Sequence, residues 1–200
     1  MSKAAKFRIA IAFALALVAV VAYVMLPTSL ERRSGVVSQG SFGGPFSLLD
    51  HNGQTVTDKD FRGAYMLIYF GYTSCPDVCP LDLRFMTGAL DELGDDGDRV
   101  QPILITVDPL RDTPAVLADY VAAFHPRLVG LTGTTEKIAA VAKSYGVFRE
   151  KEGEAADLAA AYLVNHTAVT ILMGPDGEFV RVFSHGSGSG EIAAGLREIL

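Results

Sequence analysis

Residues 65–80 read Tyr65-Met-Leu-Ile-Tyr-Phe70-Gly-Tyr-Thr-Ser-Cys75-Pro-Asp-Val-Cys79-Pro80. The first six form a continuous apolar run, the pattern of a strand buried on both faces of a sheet. After the cysteine-bearing loop, Leu83, Met86, Leu90 and Leu93 recur at helical spacing, and Gly94 ends that helix. A buried strand feeding a helix is the unit of a parallel sheet. Ligand sites in such sheets lie at the carboxyl ends of strands, where this loop falls.

Outward from this unit the pattern repeats. Val100 to Val107 is a second buried strand. Thr113-Pro114 opens a helix to Phe124, with threonine as N-cap and proline at the first position. A short apolar stretch, Leu128 to Leu131, precedes a helix from Thr135 to Tyr145 that turns Ile138 and Val141 inward. Upstream, Phe46–Asp50 and Gln54–Thr57 flank Asn52-Gly53, a hairpin signal. Downstream, Ala168–Met173 and Phe179–Phe183 flank Gly174-Pro-Asp-Gly177, a second hairpin, and Glu191–Leu200 closes the chain as a helix. Arg149 to Ala161 are charged and alanine-rich and predict a mobile insertion. The order fits an α/β thioredoxin-like fold with an N-terminal β-hairpin over residues 46–200.

The start of the chain differs in kind. Phe7 to Leu26 is a 20-residue stretch interrupted only by Arg8, enough to span about 30 Å of hydrocarbon as a helix. Lys3, Lys6 and Arg8 favour a cytoplasmic N-terminus and an exported domain. A cleaved signal peptide would have an apolar region of about 7–15 residues and a small-residue cleavage site. Here the run from Ile9 to Leu26 ends in Val24-Met25-Leu26-Pro27, a poor match. Residues 1–26 are therefore expected to be a single uncleaved transmembrane anchor. Without an Arg- and Ser-rich transit peptide ahead of it, the expected location is a bacterial inner membrane with the domain in the periplasm. Residues 27–45 are polar and aperiodic, a linker. The net charge of −6, with no basic run after Arg33, argues against nucleic acid as a partner.

Cys75 and Cys79 are the only cysteines in the 200 residues. A bridge closing so short a loop removes little entropy from the unfolded chain, so a functional pair is the better reading. Each precedes a proline, which disfavours the α region for both. The helix then starts at Pro76 with Cys75 as N-cap, or at Pro80 with Cys79 as N-cap. Either start puts the sulfurs at a helix N-terminus, which lowers thiol pKa. Two thiolates suit Cu(I), zinc or iron–sulfur chemistry. Two cysteines cannot build a four-thiolate cluster, and no His-x₃-His pair completes a zinc site. Cu(I) accepts two or three ligands, so an imidazole would complete a site. His51 lies in a turn, His125 precedes Pro126 and His185 starts a Gly-Ser loop; all three read as exposed. His166 stands immediately before the strand from Ala168, a position that alone leaves ligand and plain loop histidine both open.

Gly71-Tyr-Thr-Ser-Cys-Pro-Asp-Val-Cys-Pro80, Val107-Asp-Pro-Leu-Arg-Asp-Thr-Pro114 and Tyr162-Leu-Val-Asn-His166-Thr together resemble the Sco/SenC family of copper chaperones, from Phe46 to Leu200. The resemblance implies a thioredoxin fold that binds copper through Cys75, Cys79 and His166. It implies assembly of the dinuclear copper centre in cytochrome c oxidase subunit II, as metallochaperone, thiol reductase, or both. Implied partners are that subunit or another copper protein, and an upstream copper donor or thiol reductant. The chain departs from true thioredoxins in reading His166-Thr167 where those carry a cis proline, and in its C-x₃-C spacing, which alters redox poise. In the second motif Asp112 is expected to cap the following helix, and Asp108 to shape the site or meet the partner. Tyr72 and Asp77 are expected to support the ligands from behind. A peroxiredoxin-like peroxidase is disfavoured, because Tyr72 stands where such enzymes set threonine and no arginine paired to a cysteine is evident. Copper delivery leads, with thiol–disulfide reduction as the enzymatic alternative.

Overall fold

In the computed structural model, which describes residues 42–151 and 162–200, the elements follow in simple order. They are β1 (Ser47–Asp50), β2 (Thr55–Thr57), β3 (Tyr65–Gly71), α1 (Val78–Leu93), β4 (Val100–Thr106), α2 (Pro114–Ala122) and β5 (Val129–Thr132). Then come α3 (Thr135–Ser144), β6 (Arg149–Lys151), β7 (Val164–His166), β8 (Val169–Met173), β9 (Phe179–Ser184) and α4 (Ser189–Arg197). Seven strands make one sheet in the order β2-β1-β5-β4-β3-β8-β9, and β6 pairs with β7 separately. β3, β4 and β5 are parallel. β1, β8 and β9 add antiparallel flanks.

The two apolar runs, β3 and β4, lie at the centre because both of their faces are covered. Every residue of β3 after Tyr65 is buried. Its alternation sends Phe70 against the Tyr145 ring at the end of α3, with centroids 5.6 Å apart. Tyr69 points to the other face, toward Cys79 on α1. α1 also packs against α4, and α2 against β5. Parallel pairing places the carboxyl ends of β3 and β4 side by side, Gly71 opposite Thr106. The cysteine loop and the Asp108 motif thus leave the sheet from the same edge.

Capping follows the sequence at two helices. Thr113 accepts from the Val116 amide ahead of Pro114, and Thr134 accepts from that of Lys137. The insertion expected over Arg149–Ala161 is corrected at its start. Arg149–Lys151 form β6, paired antiparallel with Val164–His166, while positions 152–161 lie outside the described residues. Pairing across a long connection leaves no local signal in three charged residues. The anchor expected over residues 1–26 also lies outside the described residues, among which no helix is long and apolar enough to cross a membrane. Of the expected linker, Phe42 packs on the Phe179 ring at 4.5 Å and the Gly43 amide donates to the Ser144 carbonyl.

Candidate metal centre

α1 begins one residue after Asp77, not at either proline. Both expected starts are corrected. Pro80 sits in the first turn, where its missing N–H is one of the donors that lack a helical partner anyway. The Cys79 amide, another such donor, gives its hydrogen to the Cys75 sulfur at 3.4 Å. That sulfur does the work of a capping oxygen, since Asp77 makes no side-chain cap bond. Both cysteines are free thiols; Cys79 is fully buried and Cys75 half-buried.

Gly71 makes room for Cys79. A Cβ there would lie 3.1 Å from the Cys79 sulfur and 2.7 Å from the Tyr69 ring. The Tyr69 hydroxyl is buried beside Cys79 and Asp82 yet makes no well-aligned hydrogen bond.

β7 brings His166 to this point. Its Nε2 lies 3.4 Å from the Cys79 sulfur. Its Nδ1 is 3.2 Å from the Thr167 carbonyl oxygen. A proton on Nδ1 donated to that carbonyl leaves the Nε2 lone pair facing sulfur. The rings of Tyr72 and Tyr69 stand edge-on to the imidazole, with centroids at 6.0 and 6.1 Å. Tyr72 also accepts from the Val164 amide through its hydroxyl oxygen, at 3.3 Å, so it supports β7. Asp77 is exposed at the rim. Cys75 and His166 both line a cleft of about 260 Å³ that includes Pro76, Asn165 and Ala168.

Burial governs the protonation states. It pushes the Cys79 thiol well above its ordinary value, with the neighbouring Cys75 adding to the rise. The expectation of a low thiol pKa is therefore corrected for Cys79. Loss of water around a buried thiolate outweighs the helix N-terminus, whose effect is about 0.3–2 kcal/mol. Burial also lowers the His166 pKa, against the opposing contact with the Thr167 carbonyl, and so favours a neutral imidazole.

In the second motif Asp112 makes different contacts from those expected. Asp112 does not cap α2. Its carboxylate, fully buried, accepts from the Thr73 amide at 3.1 Å and hydroxyl at 2.6 Å, and from the Thr106 hydroxyl at 2.6 Å. Burial raises its pKa against those three bonds. Asp108 pairs with Arg111 and accepts from the Tyr162 hydroxyl at 2.6 Å. The Arg111 guanidinium lies 3.7 Å from the Tyr162 ring centroid and donates to the Tyr162 carbonyl at 3.1 Å. It is engaged there, not on a cysteine.

The other histidines are held by structure rather than left free. His51 accepts from the Gly130 amide at 3.1 Å, and His125 from that of Arg127 at 3.1 Å. His185 pairs with the buried Asp82 at 2.9 Å. That pair had a faint signal, a carboxylate three residues beyond Cys79 on the same helix face.

Among the described residues no three His, Cys, Asp or Glu side chains already surround a common metal position. Cys79 and His166 are in contact, while the Cys75 sulfur is turned to the Cys79 amide. The donor set is two thiols and a neutral imidazole beside an unsatisfied hydroxyl. Soft donors of low charge fit Cu(I).

The SCO1/SenC family model matches residues 36–200. The human mitochondrial SCO1 homologue is 43% identical over 168 residues, 83% of this chain and 55% of that protein. Bradyrhizobium japonicum ScoI with copper bound is 45% identical, with a TM-score of 0.72 over 80% of this chain and 99% of that one. Yeast Sco1 with copper bound is 37% identical, with a TM-score of 0.74 over 80% of this chain and 88% of that one. The thioredoxin-like α/β fold is thus shared with solved Sco structures, among them these two with copper bound. The chain spans little more than half of the human relative, but the match takes in all three sequence motifs, and the chain belongs to the SCO1/SenC family.

Proposed function

We propose that this protein is a copper metallochaperone that binds Cu(I) through Cys75, Cys79 and His166 and supplies the dinuclear copper centre of cytochrome c oxidase. The observation that carries the reading is the 3.4 Å approach of His166 Nε2 to the Cys79 sulfur, joined at the cleft by Cys75. Copper held by two solved relatives supports it. Cu(I) is cargo here. Binding it through both sulfurs releases the Cys75 and Cys79 thiol protons to solvent and draws the Cys75 sulfur away from the Cys79 amide. The half-exposed Cys75 gives a receiving thiolate access from the cleft. Residues 1–26 anchor the protein in a bacterial inner membrane, with the domain facing the periplasm and a copper donor or thiol reductant upstream.

One observation favours a second reading. Both cysteines are free and four positions apart in sequence, so the pair could instead reduce a disulfide in the oxidase subunit before metallation. The two activities share the cysteines but not the histidine. Complementation of oxidase assembly by His166→Ala, in a strain lacking the native protein, separates them. Copper delivery requires failed assembly with intact dithiol oxidation in vitro; full rescue leaves thiol reduction as the function.

A further inference from the structure

The residues that hold the two sides of the cleft converge on one five-residue turn, Asp108–Asp112. The amides of Arg111 and Asp112 both donate to the Asp108 carbonyl, at 3.2 and 3.0 Å, which closes the turn on itself. Its far end grips the cysteine side. Asp112 takes both the amide and the hydroxyl of Thr73, just ahead of Cys75, while Thr106 ties the same carboxylate to β4. Its near end grips the histidine side. Asp108 takes the Tyr162 hydroxyl, and Arg111 takes the Tyr162 carbonyl while lying over the ring. Tyr162 leads directly into β7 and His166.

We infer that this turn is a gauge that sets the separation of His166 from the cysteine sulfurs, with Arg111 as its principal positioning residue. The inference rests on the copper reading of the site. β6 and β7 stand outside the main sheet, so ladder bonds to the core do not fix His166. The planar Arg111 fork and the Tyr162 ring supply that connection beside the Val164–Tyr72 bond, in a geometry that a flexible apolar side chain does not reproduce. Cu(I) accepts either two or three ligands. A loosened His166 would therefore leave the metal on two sulfurs rather than expel it. Groups that orient ligands in this way typically change metal affinity by about 10–100-fold.

The test uses the reduced full-length chain, loaded with one equivalent of Cu(I). X-ray absorption gives the donor count, and competition with a Cu(I) chelator gives the affinity. Arg111→Met and the milder Tyr162→Phe, which removes one hydroxyl, should keep two sulfur donors. They should lose or weaken the imidazole nitrogen and bind about 10–100-fold more weakly. Arg127→Met is the control. Arg127 donates to the Gly97, Asp98 and Val100 carbonyls, away from the cleft, so its loss should lower stability and leave the copper spectrum unchanged. Wild-type coordination in both Arg111→Met and Tyr162→Phe overturns the gauge, as does equal loss of nitrogen in Arg127→Met. A wild-type protein lacking a nitrogen donor overturns the three-ligand reading instead, so the two failures are distinct.

Discussion

His166 and Cys79, 87 residues apart in sequence, meet with Nε2 3.4 Å from the sulfur. One comes from a short ribbon outside the main sheet and the other from the first turn of α1. Their contact joins the two halves of the cleft, and the chemistry follows from it. A buried thiol and a neutral imidazole meet there, and a monovalent soft cation that displaces the thiol proton would offset the charge of the thiolate it leaves.

Oxidation should abolish that chemistry. A Cys75–Cys79 disulfide offers no thiolate, so the oxidised protein should bind Cu(I) far more weakly than the reduced one. Anaerobic titration of both forms checks this; equal stoichiometry and affinity would move the metal site elsewhere.

The same two residues should bracket the stability of the metal-free protein. Burial lowers the His166 pKa from 6.5, so the unfolded chain takes up that proton first as pH falls. Stability present above 6.5 is then lost progressively below it. Burial raises the Cys79 pKa from 9.0, so the unfolded chain loses that proton first as pH rises, and stability declines above 9.0. In urea midpoints measured from about pH 5 to 10, His166→Ala should flatten the acid limb and Cys79→Ser the alkaline limb. Profiles parallel to wild type in both variants would contradict the burial argument.

Much of the fold was legible because its signals are local. The apolar runs of β3 and β4, the Thr113-Pro114 start, Asn52-Gly53 and Gly174–Gly177 each specify structure within a few residues. What was not legible depends on contacts between distant segments. Asp112 has the local spacing of a helix cap, yet its partner is Thr73, 39 residues away. Arg149–Lys151 lack alternation and become a strand only by pairing with β7. The start of α1 was ambiguous because Pro76 and Pro80 both suit a helix N-terminus, and the Cys75 sulfur decides it by capping the Cys79 amide. For the metal centre, the sequence suggested Cys75, Cys79 and His166 and misjudged the thiol environment. Proximity to a helix end can be read from spacing, whereas complete burial cannot.

Gly71→Ala tests how closely β3 is fitted to Cys79. Its Cβ would meet the Tyr69 ring at 2.7 Å and the Cys79 sulfur at 3.1 Å. Such overpacking costs about 1–3 kcal/mol and should also weaken copper retention by shifting the sulfur. Chemical denaturation and copper titration check both parts; unchanged stability would show that the gap is larger than the structure gives.

Asp112→Ala removes the acceptor for the Thr73 amide and hydroxyl and the Thr106 hydroxyl. Leaving such donors unsatisfied costs about 1–3 kcal/mol. The urea midpoint should fall with an unchanged denaturant slope. A variant as stable as wild type would mean that solvent reaches these groups.

The most direct measurement is X-ray absorption at the copper edge of the reduced full-length protein loaded anaerobically with Cu(I), beside Cys75→Ser, Cys79→Ser and His166→Ala. One copper per chain is expected on two sulfurs and one nitrogen, with one sulfur lost in each cysteine variant and the nitrogen lost in His166→Ala. A wild-type spectrum without sulfur donors, or one that all three substitutions leave unchanged, would contradict it.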